Sequence, residues 1–224
     1  MKSEPPHRRK GASLLVIPLI AAIAGASARL PAQSATPASH SYVQADVDFM
    51  QGMIIHHAQA VVMSDWAGSH GARPNLLILC KRIALSQRDE IAMMQQWLLE
   101  HHLSAPDPLH MLHGVDGTVQ DKSAMNMPGM DMGAHPMMMT GMLTPAEMRE
   151  LDAARGSAFD SLYLTGMIKH HEGALDMVAK LFATPGAGQQ PEISSFATDI
   201  DAGQRAEIAR MQAMLNTPTT SQTR

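Results

Sequence analysis

The phrase Gly-Met-Ile-x-His-His occurs twice in this chain, beginning at Gly52 and again at Gly166, and the likeness runs well beyond six letters. In register, Gly52, Met53, Ile54, His56, His57, Ala60 and Met63 fall on Gly166, Met167, Ile168, His170, His171, Ala174 and Met177, with Asp46 on Asp160 and Phe49 on Tyr163. Downstream, the run from Gln87 to Gln95 matches the run from Gln204 to Gln212, pairing Glu90 with Glu207 and Met94 with Met211. The spacing between the two blocks differs by a few residues from copy to copy, which a loop absorbs. A duplicated pair of segments of this kind predicts a repeated helical hairpin. Two hairpins with matching apolar faces bury those faces only against each other, so the expected fold is all-α, a four-helix bundle.

Composition agrees with helices. Aromatic residues make up only 4% of the chain and strand-like runs of Val, Ile, Tyr and Thr are hard to find, whereas there are 20 methionines. The net charge of −4 supplies no basic patch to attract a phosphate backbone, which argues against nucleic acid as a partner.

Ordinary start and stop signals place the helices. The first runs from about Asp46 to Ala67 and ends at Gly68 and Gly71; Pro74 opens the second, which continues to about His101. Thr144-Pro145-Ala146-Glu147 is a capping box with proline at the first helical position, starting a short helix to Arg155. After a break at Gly156, a long helix spans about Ser157 to Phe182. Pro185-Gly186-Ala187-Gly188 forms a loop, and a last helix starts at about Pro191 and stops before Pro218. The organisation expected is therefore a hairpin over 46–102, a loop or disordered insert over 103–143, a short helix with a second hairpin over 144–216, and a tail over 217–224.

The N-terminus reads as an export signal. Lys2, Arg8, Arg9 and Lys10 precede the apolar run Ala12 to Ala24, and Ala26-Ser27-Ala28 offers a cleavage site after Ala28. That run is shorter than the ~20 residues a membrane span needs. A signal peptide over 1–28 and a flexible linker over 29–45 imply a periplasmic or secreted protein with no membrane association after cleavage. Cys80, the single cysteine, sits in an apolar stretch and reads as a buried, inert thiol.

On a helical wheel Met167, His170, His171, Ala174 and Met177 share an arc with Leu164, Leu175, Val178 and Leu181, while Lys169, Asp176 and Lys180 lie opposite. The first copy repeats this with Met53, His56, His57, Ala60 and Met63. The histidines thus point inward, where an imidazole must hydrogen-bond or bind something. The second helices offer matching stripes, Gln87, Glu90 and Met94 in one half and Gln204, Glu207 and Met211 in the other. A carboxylate there can orient a histidine and a thioether can complete a metal site. Gly52 and Gly166 read as places of close helix approach, and for Gln87 and Gln204 simple solvation stands as the alternative to a place in these stripes.

The insert adds His110, Met111, His113, Met125, Met127, Met130, Met132, His135, Met137, Met138, Met139 and Met142. Solvated linkers have no use for exposed thioethers. Soft neutral sulfur prefers Cu(I), imidazole serves both oxidation states of copper, and outside the cytosol methionine and histidine outlast thiols as ligands. Copper ions are the expected ligand, Cu(I) favoured over Cu(II), with silver competing.

The two GMI-x-HH segments, the Gln-Arg-x-Glu-Ile-Ala-x-Met-Gln segments and the exported leader resemble the bacterial family of domain of unknown function 305. That family includes CopM-type copper-binding proteins and belongs to the ferritin-like four-helix bundles. The resemblance covers roughly Asp46 to Leu98 and Asp160 to Leu215. It implies periplasmic copper binding and tolerance, with Met53, His56, His57, Met167, His170 and His171 as candidate ligands; the role expected from the residues is non-enzymatic. Ala58-Gln59 stands where the second copy has Glu172-Gly173, a departure from the family pattern. The leading expectation is a copper buffer that passes its ion to an efflux or storage protein. Two others stand beside it. One is a di-iron or haemerythrin-like oxidoreductase or oxygen carrier, although the positions four after the histidines are Ala60, Val61, Ala174 and Leu175 and lack the carboxylates such centres need. The other is a structural or interaction module whose histidines pair with Glu90 and Glu207.

Overall fold

The structure, a computed structural model, describes residues 41–108 and 139–217. The leader and most of the Met/His insert, including His110, His113, Met130, Met132, His135, Met137 and Met138, lie outside the described residues. Among the described residues five helices follow in order: α1 (Gln44–Ser69), α2 (Pro74–Glu100), α3 (Pro145–Ala153), α4 (Ser157–Ala183) and α5 (Pro191–Asn216). Among the described residues there is no strand, and no helix is long and apolar enough to cross a membrane.

Local chemistry sets the ends. Proline occupies the first turn of α2, α3 and α5, where its missing N–H costs nothing. Thr144 and Glu147 close the expected capping box at α3, Glu147 N–H donating to the Thr144 hydroxyl and Thr144 N–H to the Glu147 carboxylate. Gly156, at φ +57°, makes the sharp break before α4. The helix α1 begins two residues ahead of Asp46, because the Asp46 carboxylate accepts the Val43 N–H at 2.8 Å and satisfies the turn before it.

The helices α1 and α2 form one hairpin, α4 and α5 the other, and the hairpins meet across α1 and α4. Successive contacts show these two helices to be antiparallel: Gly52 lies against the Met177 methyl, His56 against His170, and Ser64 hydrogen-bonds Tyr163. The Gly52–Met177 contact has its repeat counterpart in Gly166 against the Met63 methyl. His56, in contrast, meets its own repeat equivalent, so an approximate two-fold axis passes between the His56 and His170 rings. The duplicated aspartates obey the same symmetry. Asp46 of α1 accepts the Gly188 N–H from the α4–α5 turn, and Asp160 of α4 accepts the Arg73 N–H from the α1–α2 turn. Each hairpin thereby caps the other's connection.

Two apolar clusters fill the bundle. One contains Met50, Met53, Met94, Val178 and Ile200 with Met177 at its edge; the other contains Met63, Met148, Met167, Met211, Phe159 and Tyr163. The histidine pairs lie where the two clusters meet along α1 and α4.

The described ends of the insert are held against the bundle. Gln51 and Gln95 donate to the carbonyls of Ser104 and Pro106. At the other end, residues 139–143 cross between α1 and α4. The Gln59 amide takes both backbone groups of Leu143, donating to its carbonyl at 2.9 Å and accepting its N–H at 2.7 Å. Gly141 packs on Gly173, and a side chain on Gly173 would place its Cβ 2.0 Å from the Thr140 carbonyl oxygen. The departure Ala58-Gln59 versus Glu172-Gly173 thus has a mechanical reason: one copy clamps this strap and the other makes room for it. At Gly52 and Gly166 the expected close helix approach is instead a contact with side-chain tips, Met177 and Met139 at one, Leu143 and Met63 at the other.

Candidate metal centre

All four duplicated histidines are completely buried, as their position on the apolar arc requires. Each Nε2 is held by an oxygen. His57 donates to Glu90 at 2.6 Å and His171 to Glu207 at 2.7 Å, two equivalent pairs across the approximate axis. His56 donates to the Thr140 carbonyl at 3.1 Å, and His170 to the backbone carbonyl of His56 at 3.0 Å. The His56 and His170 rings lie 3.8 Å apart centre to centre.

A carbonyl oxygen only accepts, so Nε2 of His56 and of His170 carries the ring proton. A neutral ring hydrogen-bonded through Nε2 to a carboxylate is protonated there as well. The Nδ1 atoms of His56 and His170 are then bare lone pairs, and the Nδ1 atoms of all four histidines are buried without a hydrogen-bond partner. Burial, reinforced by neighbouring His57, pulls the His56 imidazole down from 6.5 to about 3. His170 is driven well below the ordinary imidazole value by burial, then by His56 and His171. These two rings are neutral at physiological pH, the form a metal requires. An imidazole pinned to an oxygen through one nitrogen with the other left bare is the orientation found in carboxylate–histidine–metal units. Each such lone pair otherwise costs about 1 to 3 kcal/mol of lost solvation. The donor set therefore fits a metal that accepts imidazole.

Most of the methionines expected from the repeat lie in the bundle's two apolar clusters. Met53, Met63, Met94, Met167 and Met211 are buried, while Met177 and Met139 are half-buried, the Met139 sulfur 3.5 Å from where a Gly52 Cβ would sit. Glu90 and Glu207 are each engaged by a different histidine. Among the described residues no three His, Cys, Asp or Glu side chains gather into one metal-sized group. The sequence reading missed two features. Gln87 and Gln204, which the sequence left between the inward stripe and solvent, are 2% and 3% exposed, and both polar atoms of each amide lack a partner. Their repeat spacing from Glu90 and Glu207 was visible, but their burial depends on how the hairpins dock. Thr140, the partner of His56, carried no signal, because it acts through a backbone carbonyl.

The sequence profile of the domain of unknown function DUF305 matches residues 46–215. The chain belongs to the DUF305 family. A DUF305 fragment from Deinococcus radiodurans shares its fold at a TM-score of 0.59 and 25% identity, covering 78% of this chain and 97% of that one. A DUF305 protein from Streptomyces coelicolor, provisionally named as secreted, gives 0.59 and 25%, covering 76% and 91%. CopM in its Cu(II)-bound form gives 0.54 and 25%, covering 75% and 94%. Its Cu(I)-bound form, at 0.52 and 23%, shows the same fold. No curated protein matches the chain.

Proposed function

We propose that this DUF305 protein is a non-enzymatic copper-binding protein of the periplasm. It holds Cu(I) in preference to Cu(II) and passes it to an efflux or storage protein. The observation that carries the reading is the set of four buried, unpartnered Nδ1 atoms on histidines whose other nitrogen is already fixed. His56, His57, His170 and His171 supply imidazole; Met53, Met63, Met94, Met167, Met177 and Met211 supply the thioethers that make copper or silver the preferred ion over zinc or iron. The Cu(II)-bound CopM neighbour supports the same ion. Glu90 and Glu207 orient rings in this reading, and Met139 stands at the edge as an additional sulfur. The leader Lys2 to Ala28 and the Met/His insert with His110, His113, Met130, Met132, His135, Met137 and Met138 complete it, the insert as a capture segment with exchangeable ligands. An oxygen-rich di-iron centre is disfavoured because Glu90 and Glu207 are occupied by separate histidines.

The test is anaerobic Cu(I) titration against a chromophoric chelator, using the wild type and the double variant His57→Gln, His171→Gln. Glutamine keeps an N–H for Glu90 and Glu207 but has no second ring nitrogen. The wild type should withhold more than one equivalent, and the variant should lose copper while its stability moves by only about 1 kcal/mol. Unchanged copper in the variant, or no binding by the wild type above a Met/His-free helical control, refutes the proposal.

A further inference from the structure

The duplication provides an internal control on what the fold itself requires of a surface. The helix α2 leaves Ile78, Leu85, Met93 and Leu99 between 56% and 63% exposed. With exposed Ala92 they form one stripe, since Ile78, Leu85, Ala92 and Leu99 recur every seven residues. Among the described residues, the other exposed large apolar side chains are Phe182 and Leu215, at 46% and 42%, one on each of two other helices. The equivalents on α5, aligned from Pro74 on Pro191 through Met94 on Met211, are Ser195, Ala202, Ala209, Arg210 and Asn216. The same position in the same hairpin therefore needs no large apolar residue, and the stripe on α2 has another use.

Charge says what covers it. Every basic residue of α2, Lys81, Arg82 and Arg88, precedes every acidic one, Asp89, Glu90 and Glu100. This order opposes the helix dipole, which favours acids at the N-terminus and bases at the C-terminus. The helix α5 has the favourable order at its ends, opening with Glu192, Asp199 and Asp201 and closing with Arg210. Arg88 and Glu90 are held within the chain by Asp65 and His57, but the remaining arrangement, unfavourable within one helix, becomes favourable beside a second copy running the other way, where Lys81 and Arg82 lie along the half of the partner's helix that carries Asp89 and Glu100.

We infer that the exposed face of α2 is a self-association surface on which a second copy of this chain docks with its own α2 antiparallel about a two-fold axis. Turned end for end, Ile78 meets the partner's Leu99, and Leu85 meets the partner's Ala92 and the partner's Met93. The Lys81–Arg82 end lies beside the acidic end of the partner's helix. A helix of this length presents a face about 40 Å long and 10 Å wide. That gives about 400 Å² per copy, less than a standard interface, so the dimer is weak and forms at micromolar concentration or above.

Sedimentation velocity from micromolar to millimolar concentration tests this on the full purified chain. The wild type should pass from monomer to dimer with rising concentration, and added salt should weaken the association. Leu85→Glu should raise the dissociation constant at least tenfold, whereas Ala202→Glu, its equivalent on α5, should leave it unchanged. Both positions are exposed, and far-UV circular dichroism confirms folding. A second route avoids the apolar stripe: Lys81→Glu with Arg82→Glu should abolish self-association, and mixing that variant with Asp89→Lys, Glu100→Lys should restore a dimer. A wild type that stays monomeric throughout overturns the inference, and so does a dimer indifferent to both Leu85→Glu and the charge reversal.

Discussion

Gly173→Ala should destabilise this protein although alanine is the better helix former. Within α4 the change by itself contributes about 1 kcal/mol of helix stability. The added methyl, however, would lie 2.0 Å from the Thr140 carbonyl oxygen and 2.6 Å from the Gly141 Cα, so the strap must withdraw by about 1 Å or more to reach van der Waals contact. Withdrawal breaks the His56–Thr140 hydrogen bond and leaves a buried N–H unpaired, costing about 1 to 3 kcal/mol. It also strains the Gln59–Leu143 pair, about 1 kcal/mol per bond, and exposes part of the Leu143 side chain, worth about 1.5 to 3 kcal/mol when fully buried. Partial loss of these terms, less the helix gain, gives a net loss of about 2 kcal/mol. Gly203→Ala in α5 is the control, since a Cβ there meets nothing within 4 Å and should stabilise by up to about 1 kcal/mol. Urea unfolding of the metal-free proteins, read at constant m-value, should move the midpoints in opposite directions. If both variants gain stability, the strap is not seated on α4.

Two further predictions concern buried groups. In the unfolded chain His56 takes up a proton as the pH falls through 6.5, whereas the folded ring stays neutral to about 3. The unfolded state therefore binds more protons between these values. The metal-free protein should hold its full contribution above pH 6.5 and lose about 1.4 kcal/mol per pH unit below it, with His170 adding in the same direction; chemical denaturation showing no loss from pH 6.5 to 4 would contradict the burial argument. Cys80 is fully buried and its thiol is pushed up to about 12 by burial, so a thiol reagent at neutral pH should label it only after denaturation. Labelling at the same rate in native and unfolded protein would show that this wall of the core is open.

The repeat made much of the molecule legible in the linear sequence. Apolar residues at helical spacing, proline at three helix starts and the Thr144–Glu147 box act within one or two turns, so the helices fall within about two residues of where these signals put them. The inward direction of His56, His57, His170 and His171 follows from the same periodicity, as does the reach of Glu90 and Glu207. What could not be read depends on how two hairpins meet. The stacking of His56 on His170, the burial of Gln87 and Gln204, and the exchange of Met63 and Met177 between copies need the antiparallel docking of α1 on α4. The strap is the clearest case: Gln59 and Gly173 look like unrelated departures from a pattern until a backbone segment is seen lying between them. Periodicity fixes which face of a helix is buried, because it is a local property of the chain; it carries no information about what the face is buried against, which only packing decides.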